Sequence, residues 1–277
     1  MLQAEEQLRG LRERMEAVPA WYHTLELAPG LVTPGYYDLR PIVPKLPWPD
    51  VRGKRCLDIG SYDGFYAFEL ERRGASEVVA LDVADPRDWD WPPDAREEGL
   101  RKVLDFTDSR HAPGFDVACE AFGSSVQKVD MRIYDLAPGR VGRFDVVVCG
   151  SLLLHLRDPI GALEAVRSVC AGQLLSIDEI RLSLALLGRR PLAALDGSGE
   201  RVQWWIPNPA ARRRMLYAAG FSVDRATRPF AIPYGVSHLP DRPFTGGIRG
   251  IRRRALQRVL AGGVGVPHNA LLASPRL

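Results

Sequence analysis

The stretch that decides the fold reads Arg55-Cys56-Leu57-Asp58-Ile59-Gly60-Ser61-Tyr62-Asp63-Gly64 and continues to Asp82. Its apolar run ends on glycines, and a helical pattern follows in Phe65-Tyr66-Ala67-Phe68-Glu69-Leu70. A second apolar run, Val78-Val79-Ala80-Leu81, ends in Asp82. This order predicts a strand, a tight turn, a helix and a second strand with an acid at its tip. In a doubly wound sheet such strand tips line the crevice that binds nucleoside-type ligands.

The glycine spacing distinguishes this loop from two common nucleotide-binding loops. A dinucleotide fingerprint has glycines at G-x-G-x-x-G, whereas Gly60 and Gly64 are four residues apart and Tyr62 lies between them. No lysine follows at the position that a P-loop requires. Asp58, two residues before the first glycine, favours a ligand with a cationic amino acid end over one rich in phosphate. Asp82, at the second strand tip, is placed to accept both hydroxyls of a ribose.

At these residues the sequence resembles the class I S-adenosylmethionine-dependent methyltransferases. In that family the acid and the two glycines of the loop surround the methionine part of the cofactor, and the acid of the second strand holds the ribose. The resemblance implies S-adenosylmethionine as cofactor and S-adenosylhomocysteine as product. The cofactor-binding residues that it predicts are Asp58, Gly60, Ser61, Tyr62, Gly64, Asp82, Val83, Gly150 and Ser151.

The resemblance extends to the fourth-strand motif between Phe144 and His155, to Asp158-Pro159, and to the segment 204–208. It is closest to the branch of the wobble-uridine tRNA (carboxy)methyltransferase-like proteins. In the carboxymethyl-transferring members an aromatic hydroxyl precedes the histidine of the fourth-strand turn, where this chain has Leu154. The loop Ser61-Tyr62-Asp63 also departs from their pattern. Ordinary S-adenosylmethionine is therefore expected, rather than a carboxylated cofactor.

Composition narrows the class of protein. The chain has 277 residues, of which 46% are hydrophobic, enough for one large domain with insertions or a core with appendages. No apolar run approaches the roughly 18 residues of a membrane span, and the first residues lack the layout of a signal peptide. The four cysteines are scattered, which indicates neither disulfides nor zinc. A cytoplasmic protein is predicted, and no metal is expected, because no histidine and acid cluster has ligand spacing.

The alternation of strands and helices predicts an α/β fold, with a Rossmann-like, doubly wound and mostly parallel sheet. Further strands are expected at 126–133, 144–149 and 173–177, with a last strand pair near 221–228. Helices are expected at 115–122, 159–170 and 210–219. We expect a helix at 2–17 within an aromatic N-terminal arm that covers residues 1–50. The methyltransferase domain is assigned to 51–235, with insertions at about 85–111 and 181–209.

Residues 236–277 are predicted to form a basic C-terminal extension. It contains an amphipathic helix candidate at 247–260, expected to pack Ile251, Ala255 and Val259 on the body of the protein. This helix suits RNA, an anionic membrane surface or an acidic partner. The tail at 262–277 is expected to be loose. A short helix is predicted near 97–106 in the first insertion.

Two histidines are candidates for the base that a hydroxyl or protonated amine acceptor requires. His155 follows the tip of the fourth strand, and His23 lies beside two aromatic residues of the arm. For each of them a purely structural role is the alternative. The predicted substrate-binding residues are Trp21, Tyr22, Asp178, Glu179 and Trp205. Aromatic residues concentrate outside the sheet, which favours a covered pocket for an organic acceptor.

These patterns predict an enzyme that transfers a methyl group from S-adenosylmethionine to an oxygen or nitrogen of a small aromatic or sugar-like acceptor, by in-line displacement. The first alternative is a tRNA-modifying methyltransferase acting at a wobble uridine. The second is a non-catalytic S-adenosylmethionine-binding protein. The sequence does not fix the oligomeric state.

Overall fold

The computed structural model of the chain describes residues 2–93, 97–98, 101, 113–187, 190–197, 202–238 and 248–276. In chain order the strands are β1 Trp21–His23, β2 Glu26–Ala28, β3 Leu31–Val32, β4 Gly35–Tyr37, β5 Arg55–Ile59, β6 Glu77–Asp82, β7 Gln127–Asp130, β8 Phe144–Gly150, β9 Cys170–Glu179, β10 Ala193–Leu195, β11 Trp205–Pro207, β12 Phe221–Ala226, β13 Phe230–Ile232 and β14 Val266–Pro275. The helices are α1 Leu2–Ala17, α2 Phe65–Arg72, α3 Pro113–Phe122, α4 Pro138–Val141, α5 Pro159–Val169, α6 Leu182–Ala185, α7 Pro209–Ala218 and α8 Ile248–Ala261.

The central sheet has the strand order β7-β6-β5-β8-β9-β14-β12, and β13 also pairs with β14. The five strands from β7 to β9 are parallel to their neighbours. Strand β14 runs antiparallel to both β9 and β12. The prediction of a doubly wound, mostly parallel α/β sheet is confirmed. The carboxyl ends of β5, β6, β8 and β9 therefore meet at one edge, where such sheets bind ligands.

The sheet strands are apolar because both faces of the sheet are covered. On one face Cys56, Val146 and Leu175 pack against α1, α2, α3 and the N-terminal arm. On the other face Leu57 and Val147 pack against α5 and α7. Successive residues of a strand point to opposite faces. Asp58 consequently faces the arm and α2, while its neighbours Leu57 and Ile59 face α5.

Two helices that follow strands begin with a side-chain cap followed by proline. The Asp158 carboxylate accepts a hydrogen bond of 2.8 Å from the Gly161 N–H, and Pro159 occupies the first turn of α5. The Asn208 side chain accepts 2.8 Å from the Ala211 N–H at the start of α7, again followed by proline. A side-chain acceptor and a proline satisfy or remove the free N–H groups at a helix start.

The prediction of a loose tail was wrong. Strand β14 lies between β9 and β12, and the side chains of residues 270–273 are 0–1% exposed. The predicted pairing of two strands near 221–228 is replaced by the pairing of β12 and β13 with β14. The tail forms part of the sheet because its apolar residues complete both cores.

The predicted basic helix is present as α8, but its docking face differs from the prediction. Leu256, Leu260 and Ala261 pack against Ile180 and Leu182, while Val259 is 80% exposed and Ala255 is exposed. The side chain of Ile251 is outside the described residues. The predicted third strand is shorter than expected, since β7 ends at Asp130 and a 3₁₀ turn follows at Ile133–Asp135. The helix expected near 97–106 falls mostly outside the described residues.

The described parts of the two predicted insertions contact each other through Asp90. Its carboxylate accepts hydrogen bonds from the Tyr134 hydroxyl at 2.5 Å and from the Arg157 N–H at 2.9 Å. Its backbone carbonyl accepts 2.6 Å from the indole N–H of Trp204, a residue of the second insertion. The division of the chain into arm, domain and extension remains a prediction. Within the described residues, no helix is both long enough and apolar enough to span a lipid bilayer.

Candidate active site

The loop between β5 and α2 has a backbone that only a few residue types adopt. Gly60 and Gly64 have φ angles of 72° and 87°, and Tyr62 has a φ of 48°. The N–H groups of Gly60 and Ser61 donate to the carbonyl of Leu81, which ties the loop to the end of β6. A Cβ atom at Gly64 would lie 2.5 Å from the ring of Phe68. Positive φ and close packing together require glycine at this turn.

Asp82 holds this loop in place from the tip of β6. One carboxylate oxygen accepts a hydrogen bond from the Tyr62 N–H, and the other accepts 2.7 Å from the Val83 N–H. Burial raises the pKa of Asp82, although the two N–H groups oppose the rise. Each oxygen keeps a further lone pair. The carboxylate can therefore accept two ligand hydroxyls while it fixes the loop.

Asp58 is a buried carboxylate without a hydrogen-bond partner among the described residues. Its side chain is on the arm side of the sheet, the residue is 1% exposed, and neither oxygen is hydrogen-bonded. Burial, reinforced by Asp82, raises the pKa of Asp58 to about 8. The N–H of Ala67 opposes this rise but does not form a hydrogen bond of normal geometry.

Two other buried polar atoms near this loop lack a partner in the described structure. They are the hydroxyl oxygens of Ser61 and Tyr66. Burial raises the pKa of Tyr66 well above its usual range, and Asp58 contributes to the rise. Nearly all buried polar groups in proteins are hydrogen-bonded. Three such groups around one loop therefore indicate a place where a polar ligand completes the structure.

The end of β8 forms the opposite side of the crevice. A Cβ atom at Gly150 would lie 2.3 Å from the ring of Tyr66, so this position allows no side chain. Ser151, with a φ of 53°, places its hydroxyl 3.0 Å from Nε2 of His268, a residue of β14. Nδ1–H of His268 donates 2.9 Å to the carbonyl of Val266, so Nε2 accepts the hydrogen bond from Ser151. Burial lowers the pKa of His268 to about 4, which keeps the ring neutral.

The N-terminal arm is fastened to the same loop by Asp63. Its Oδ2 accepts 2.8 Å from the Tyr22 N–H and 2.9 Å from the His23 N–H, and its Oδ1 pairs with Nδ1 of His23. The Tyr22 ring lies with its centroid 5.4 Å from that of Tyr62. Burial raises the pKa of Tyr22 well above its usual value, with contributions from Asp63 and Glu179. The structure therefore brings the predicted residues Tyr22, His23 and Glu179 to the same side of the crevice.

Trp21, in contrast, belongs to the core. It is 1% exposed, its indole N–H donates 3.0 Å to the Met15 carbonyl, and a Cβ at Gly114 would lie 2.9 Å from its ring. A role in substrate binding remains a prediction, and this position favours a structural role in joining α1, the arm and α3.

Asp178 faces the side of the sheet opposite to Glu179. Its carboxylate accepts 3.0 Å from the Leu153 N–H and 3.1 Å from the Glu179 N–H. Burial raises the pKa of Asp178 to about 6, and the charge of Arg212 limits this rise. Arg212 is itself buried and donates to Asn269 and Ser176. This arrangement favours a role for Asp178 in fixing the turn after β8.

His155 and Trp205 are also bound to backbone groups on that side. Nδ1–H of His155 donates to the carbonyl of Val202, and burial lowers the pKa of the ring. The Trp205 indole N–H donates 3.0 Å to the carbonyl of Arg157. Trp205 lines a small cavity together with Asp178 and Arg212. Their catalytic and substrate-binding roles remain predictions, since the geometry places neither beside the arm.

Comparison with known proteins identifies the domain. Residues 34–226, more than half of the chain, match a family model described as a methyltransferase domain. The chain belongs to the methyltransferase domain family. The expectation of a methyltransferase, made from the loop and the strand tips, is thereby confirmed.

Curated relatives of this methyltransferase differ in the acceptors that their names give. The ubiquinone biosynthesis O-methyltransferase of Neisseria meningitidis serogroup C is 32% identical over 116 residues, 42% of this chain and 39% of the relative. The tRNA U34 carboxymethyltransferase of Campylobacter hominis is 26% identical over 122 residues, 44% of this chain and 34% of the relative. The chain thus spans less than half the length of these relatives.

One solved structure supports the fold. The methyltransferase in complex with the Haloferax volcanii Trm112 methyltransferase activator has a TM-score of 0.52 at 12% identity, over 84% of this chain and 86% of that one. The 1,6-didemethyltoxoflavin-N1-methyltransferase of Burkholderia thailandensis, solved with S-adenosylhomocysteine, has a TM-score of 0.49 at 14% identity, over 82% and 72% of the two chains.

The residues of this methyltransferase fit S-adenosylmethionine, the cofactor that the sequence predicts. The unpaired carboxylate of Asp58 suits the ammonium group of the methionine part, and Asp82 suits the two ribose hydroxyls. The buried hydroxyls of Ser61 and Tyr66 offer further partners for the polar methionine end. Among the residues that the structure describes, no group of three or more histidine, cysteine, aspartate or glutamate side chains is arranged to hold a metal ion.

Three residues of the methyltransferase site were missed by sequence reasoning. Asp63 and Tyr66 lie within the recognised stretch, but their partners are on the arm and the neighbouring strands. For Asp63, the presence of an acidic residue inside the glycine loop was a signal that could have identified it. His268 lies in the strand that was predicted to be a loose tail, so the sequence offered no signal for it.

Proposed function

We propose that this methyltransferase transfers a methyl group to an oxygen or nitrogen of a small organic acceptor, aromatic or sugar-like, by in-line displacement. The observation that carries the proposal is the attachment of the N-terminal arm to the cofactor loop through Asp63. This attachment places Tyr22 of the arm against Tyr62 of the loop. The acceptor side of the crevice is therefore built from aromatic side chains.

The aromatic side chains continue beyond Tyr22 and Tyr62 to Tyr37, Tyr234 and His238, and together these five residues form an aromatic wall. The ring centroid of Tyr37 lies 5.1 Å from that of Tyr22 and 6.3 Å from that of Tyr234, and His238 stacks on Tyr234 at 4.0 Å. An isolated bridge between Tyr37 and Tyr234 joins the arm to the segment after β13. Sites for small organic ligands are typically lined by aromatic side chains with a few polar groups. Glu179, whose charge acts on Tyr22, supplies such a polar group.

The roles of the protein residues follow from their contacts. Asp58 binds the ammonium group and Asp82 the ribose, which orients the cofactor along the crevice. The bound cofactor supplies a methyl group already activated by the sulfonium, so the protein mainly positions the acceptor and excludes water. The arm and the aromatic wall perform both tasks. His23 is better placed than His155 to accept a proton, because it lies on the arm beside Tyr22.

Calorimetry tests the first part of the proposal. We expect the purified chain to bind S-adenosylmethionine and S-adenosylhomocysteine. Asp82→Ala should weaken binding by about 100-fold or more, because two charge-assisted hydrogen bonds to the ribose are lost. Asp224→Asn is a suitable control, since Asp224 lies at the surface and bonds only to Gln173 and Ser274 in the described structure. Absence of binding, or unchanged binding in Asp82→Ala, would refute the proposed cofactor site.

Transfer of a labelled methyl group tests the second part. Phenols, amines and sugar derivatives are compared with bulk tRNA as acceptors. Tyr22→Ala should raise the KM of a small acceptor, while Tyr217→Ala, at a residue of α7 that is 55% exposed, should not. Label found in tRNA and in none of the small compounds would refute the small-acceptor proposal.

A tRNA-modifying methyltransferase is the second candidate, because a second set of relatives supports it. The tRNA U34 carboxymethyltransferase of Pseudomonas aeruginosa strain PAO1 is 26% identical over 184 residues, 65% of this chain and 48% of the relative. Helix α8 carries five arginines and no acid, which suits a phosphate backbone. Strong tRNA binding that weakens steeply with salt would favour this candidate. No binding at low salt would eliminate it.

A further inference from the structure

The pair formed by Asp63 and His23 has an unusual division of contacts. Asp63 is 1% exposed, and its Oδ2 accepts both backbone N–H groups of the arm, from Tyr22 and His23. Its Oδ1 meets only the imidazole Nδ1 of His23. Oδ2 therefore holds the arm, and Oδ1 contacts the imidazole ring of His23.

This division determines which nitrogen of His23 carries the proton. Asp63 accepts two backbone N–H groups, and a carboxylate only accepts hydrogen bonds. The ring nitrogen that faces Oδ1 must then be the donor, which places the proton of neutral His23 on Nδ1. The lone pair consequently lies on Nε2.

The free nitrogen is neither hydrogen-bonded nor enclosed. Within the described part of the chain no partner meets Nε2, and it is absent from the unpaired polar atoms that are fully buried. The side chain of His23 is 8% exposed. Its ring lies 4.9 Å from the ring of Tyr22 and 5.6 Å from that of Phe65, the first residue of α2. Nε2 therefore borders accessible space at the arm side of the loop.

We propose that Asp63 is a positioning residue that fixes His23 in the Nδ1–H tautomer, so that Nε2 is free to accept the proton of the methyl acceptor. The proposal rests on the proposed function, in which the acceptor is a hydroxyl or protonated amine. The acceptor proton moves to Nε2, the ring becomes an imidazolium, and the Nδ1 proton stays directed at Asp63. The buried carboxylate stabilises this cation, and the extra proton then passes to water. General base catalysis of this kind contributes on the order of 100-fold or more to a rate.

The test is direct observation of the tautomer by long-range ¹H–¹⁵N NMR of the full chain labelled with ¹⁵N-histidine. His23→Gln assigns the His23 signals among the five histidines. In the neutral form of the ring, we expect the protonated nitrogen of His23 to be Nδ1. A wild-type protein with the proton of His23 on Nε2 would overturn the proposal.

Asp63→Asn separates the two oxygens of Asp63. The amide oxygen can replace Oδ2 and hold the arm, whereas the amide NH₂ then faces Nδ1 and requires it to be an acceptor. The variant should keep the backbone amide signals of Tyr22 and His23 while the proton of His23 moves to Nε2. Asp224→Asn, the same change at a surface acid, should leave the His23 signals unchanged. Retention of the Nδ1–H tautomer in a folded Asp63→Asn would overturn the proposal, and if that variant does not fold, the wild-type tautomer decides.

The methyl-transfer proposal fails separately from this one. The tautomer is measured without cofactor or acceptor, while cofactor binding is measured by calorimetry. A protein that shows the expected tautomer but no S-adenosylmethionine binding would refute the proposed cofactor site and leave the Asp63–His23 arrangement intact. The reverse result would remove Asp63 as a positioning residue and leave the cofactor site intact.

Discussion

The buried carboxylate of Asp58 makes cofactor binding depend on pH. Without cofactor, its pKa of about 8 keeps this group mostly protonated at neutral pH. An ammonium group within hydrogen-bond distance favours the ionised form and lowers the pKa by several units. Binding of S-adenosylmethionine should therefore release the proton of Asp58 into solution.

The size of this effect follows from the pKa. At pH 7 a group with a pKa of about 8 is about 90% protonated, so binding should release about 0.9 protons. Between pH 6 and 7 the association constant should rise by about ninefold. Above about pH 8 the association constant should stop rising, because Asp58 is then ionised before the cofactor binds.

Isothermal titration calorimetry in two buffers of different ionisation enthalpy measures the released protons. Asp58→Asn should release almost none, and its affinity should be nearly constant between pH 6 and 7. A wild-type protein that releases no proton would contradict the reasoning. Equal proton release in wild type and Asp58→Asn would contradict it as well, since the proton would then come from another group.

The same group should reduce the stability of the cofactor-free protein as the pH rises. In the unfolded chain the pKa of Asp58 is near 4, so between pH 4 and 8 the folded state binds more protons than the unfolded state. The free energy of unfolding therefore falls with rising pH, by about 1.6 kcal/mol between pH 6.5 and 8. His268, with a pKa lowered to about 4, opposes this fall by about 0.4 kcal/mol, because its unfolded form is half protonated at pH 6.5 and neutral at pH 8. Urea titrations should show the fall in wild type and its absence in Asp58→Asn.

Two further predictions concern packing and are measured by urea unfolding. Gly150→Ala should destabilise the fold by about 1–3 kcal/mol, because its Cβ would lie 2.3 Å from the Tyr66 ring. Gly139→Ala, with no atom within 4 Å of its Cβ, should stay within about 0.5 kcal/mol of wild type or exceed it, and equal losses in both variants would contradict the packing argument. Leu271→Ala, a 0% exposed residue of β14, should cost about 2–5 kcal/mol. Leu187→Ala, 60% exposed, should cost little, and a stable Leu271→Ala would show that β14 is not required.

The fold was predictable where local pattern and burial agree. Strands β5, β6 and β8 are apolar runs because both faces of the sheet are covered, and the sequence shows such runs directly. The turn after β5 was predictable because positive φ at Gly60 and Gly64 demands glycine. The spacing of Asp58 and Asp82 around that turn identified them as candidate cofactor ligands, a role that stays a prediction.

Strand β14 was missed because its signal is tertiary. It begins Val266-Pro267-His268-Asn269, and a proline followed by two polar residues is typical of a loop. Yet His268 and Asn269 are only 4% and 1% exposed. Their partners are Ser151 and Arg212, which lie 117 and 57 residues away in the sequence. No local window contains these pairs.

The candidate site was predictable on the cofactor side and less so on the acceptor side. Cofactor contacts depend on one continuous stretch, whereas the acceptor side is assembled from the arm, the loop and the segment after β13. The partner of His23 could not be inferred from the sequence, because Asp63 lies 40 residues away. Nothing in the loop sequence indicates that Asp63 contacts the arm. Asp178 and Glu179 are adjacent in sequence and therefore face opposite sides of the sheet. Which of them faces the arm depends on the register of β9.

The position of β14 sets an order for biosynthesis. Strand β14 lies between β9 and β12 in the sheet. Neither strand can pair with β14 until residues 266–275 have left the ribosome. Until then β9 has an unpaired edge, and an unpaired strand edge can pair with other chains. Ser151 likewise gains its histidine partner only when β14 pairs with β9. The crevice should therefore be completed only after β14 has joined the sheet.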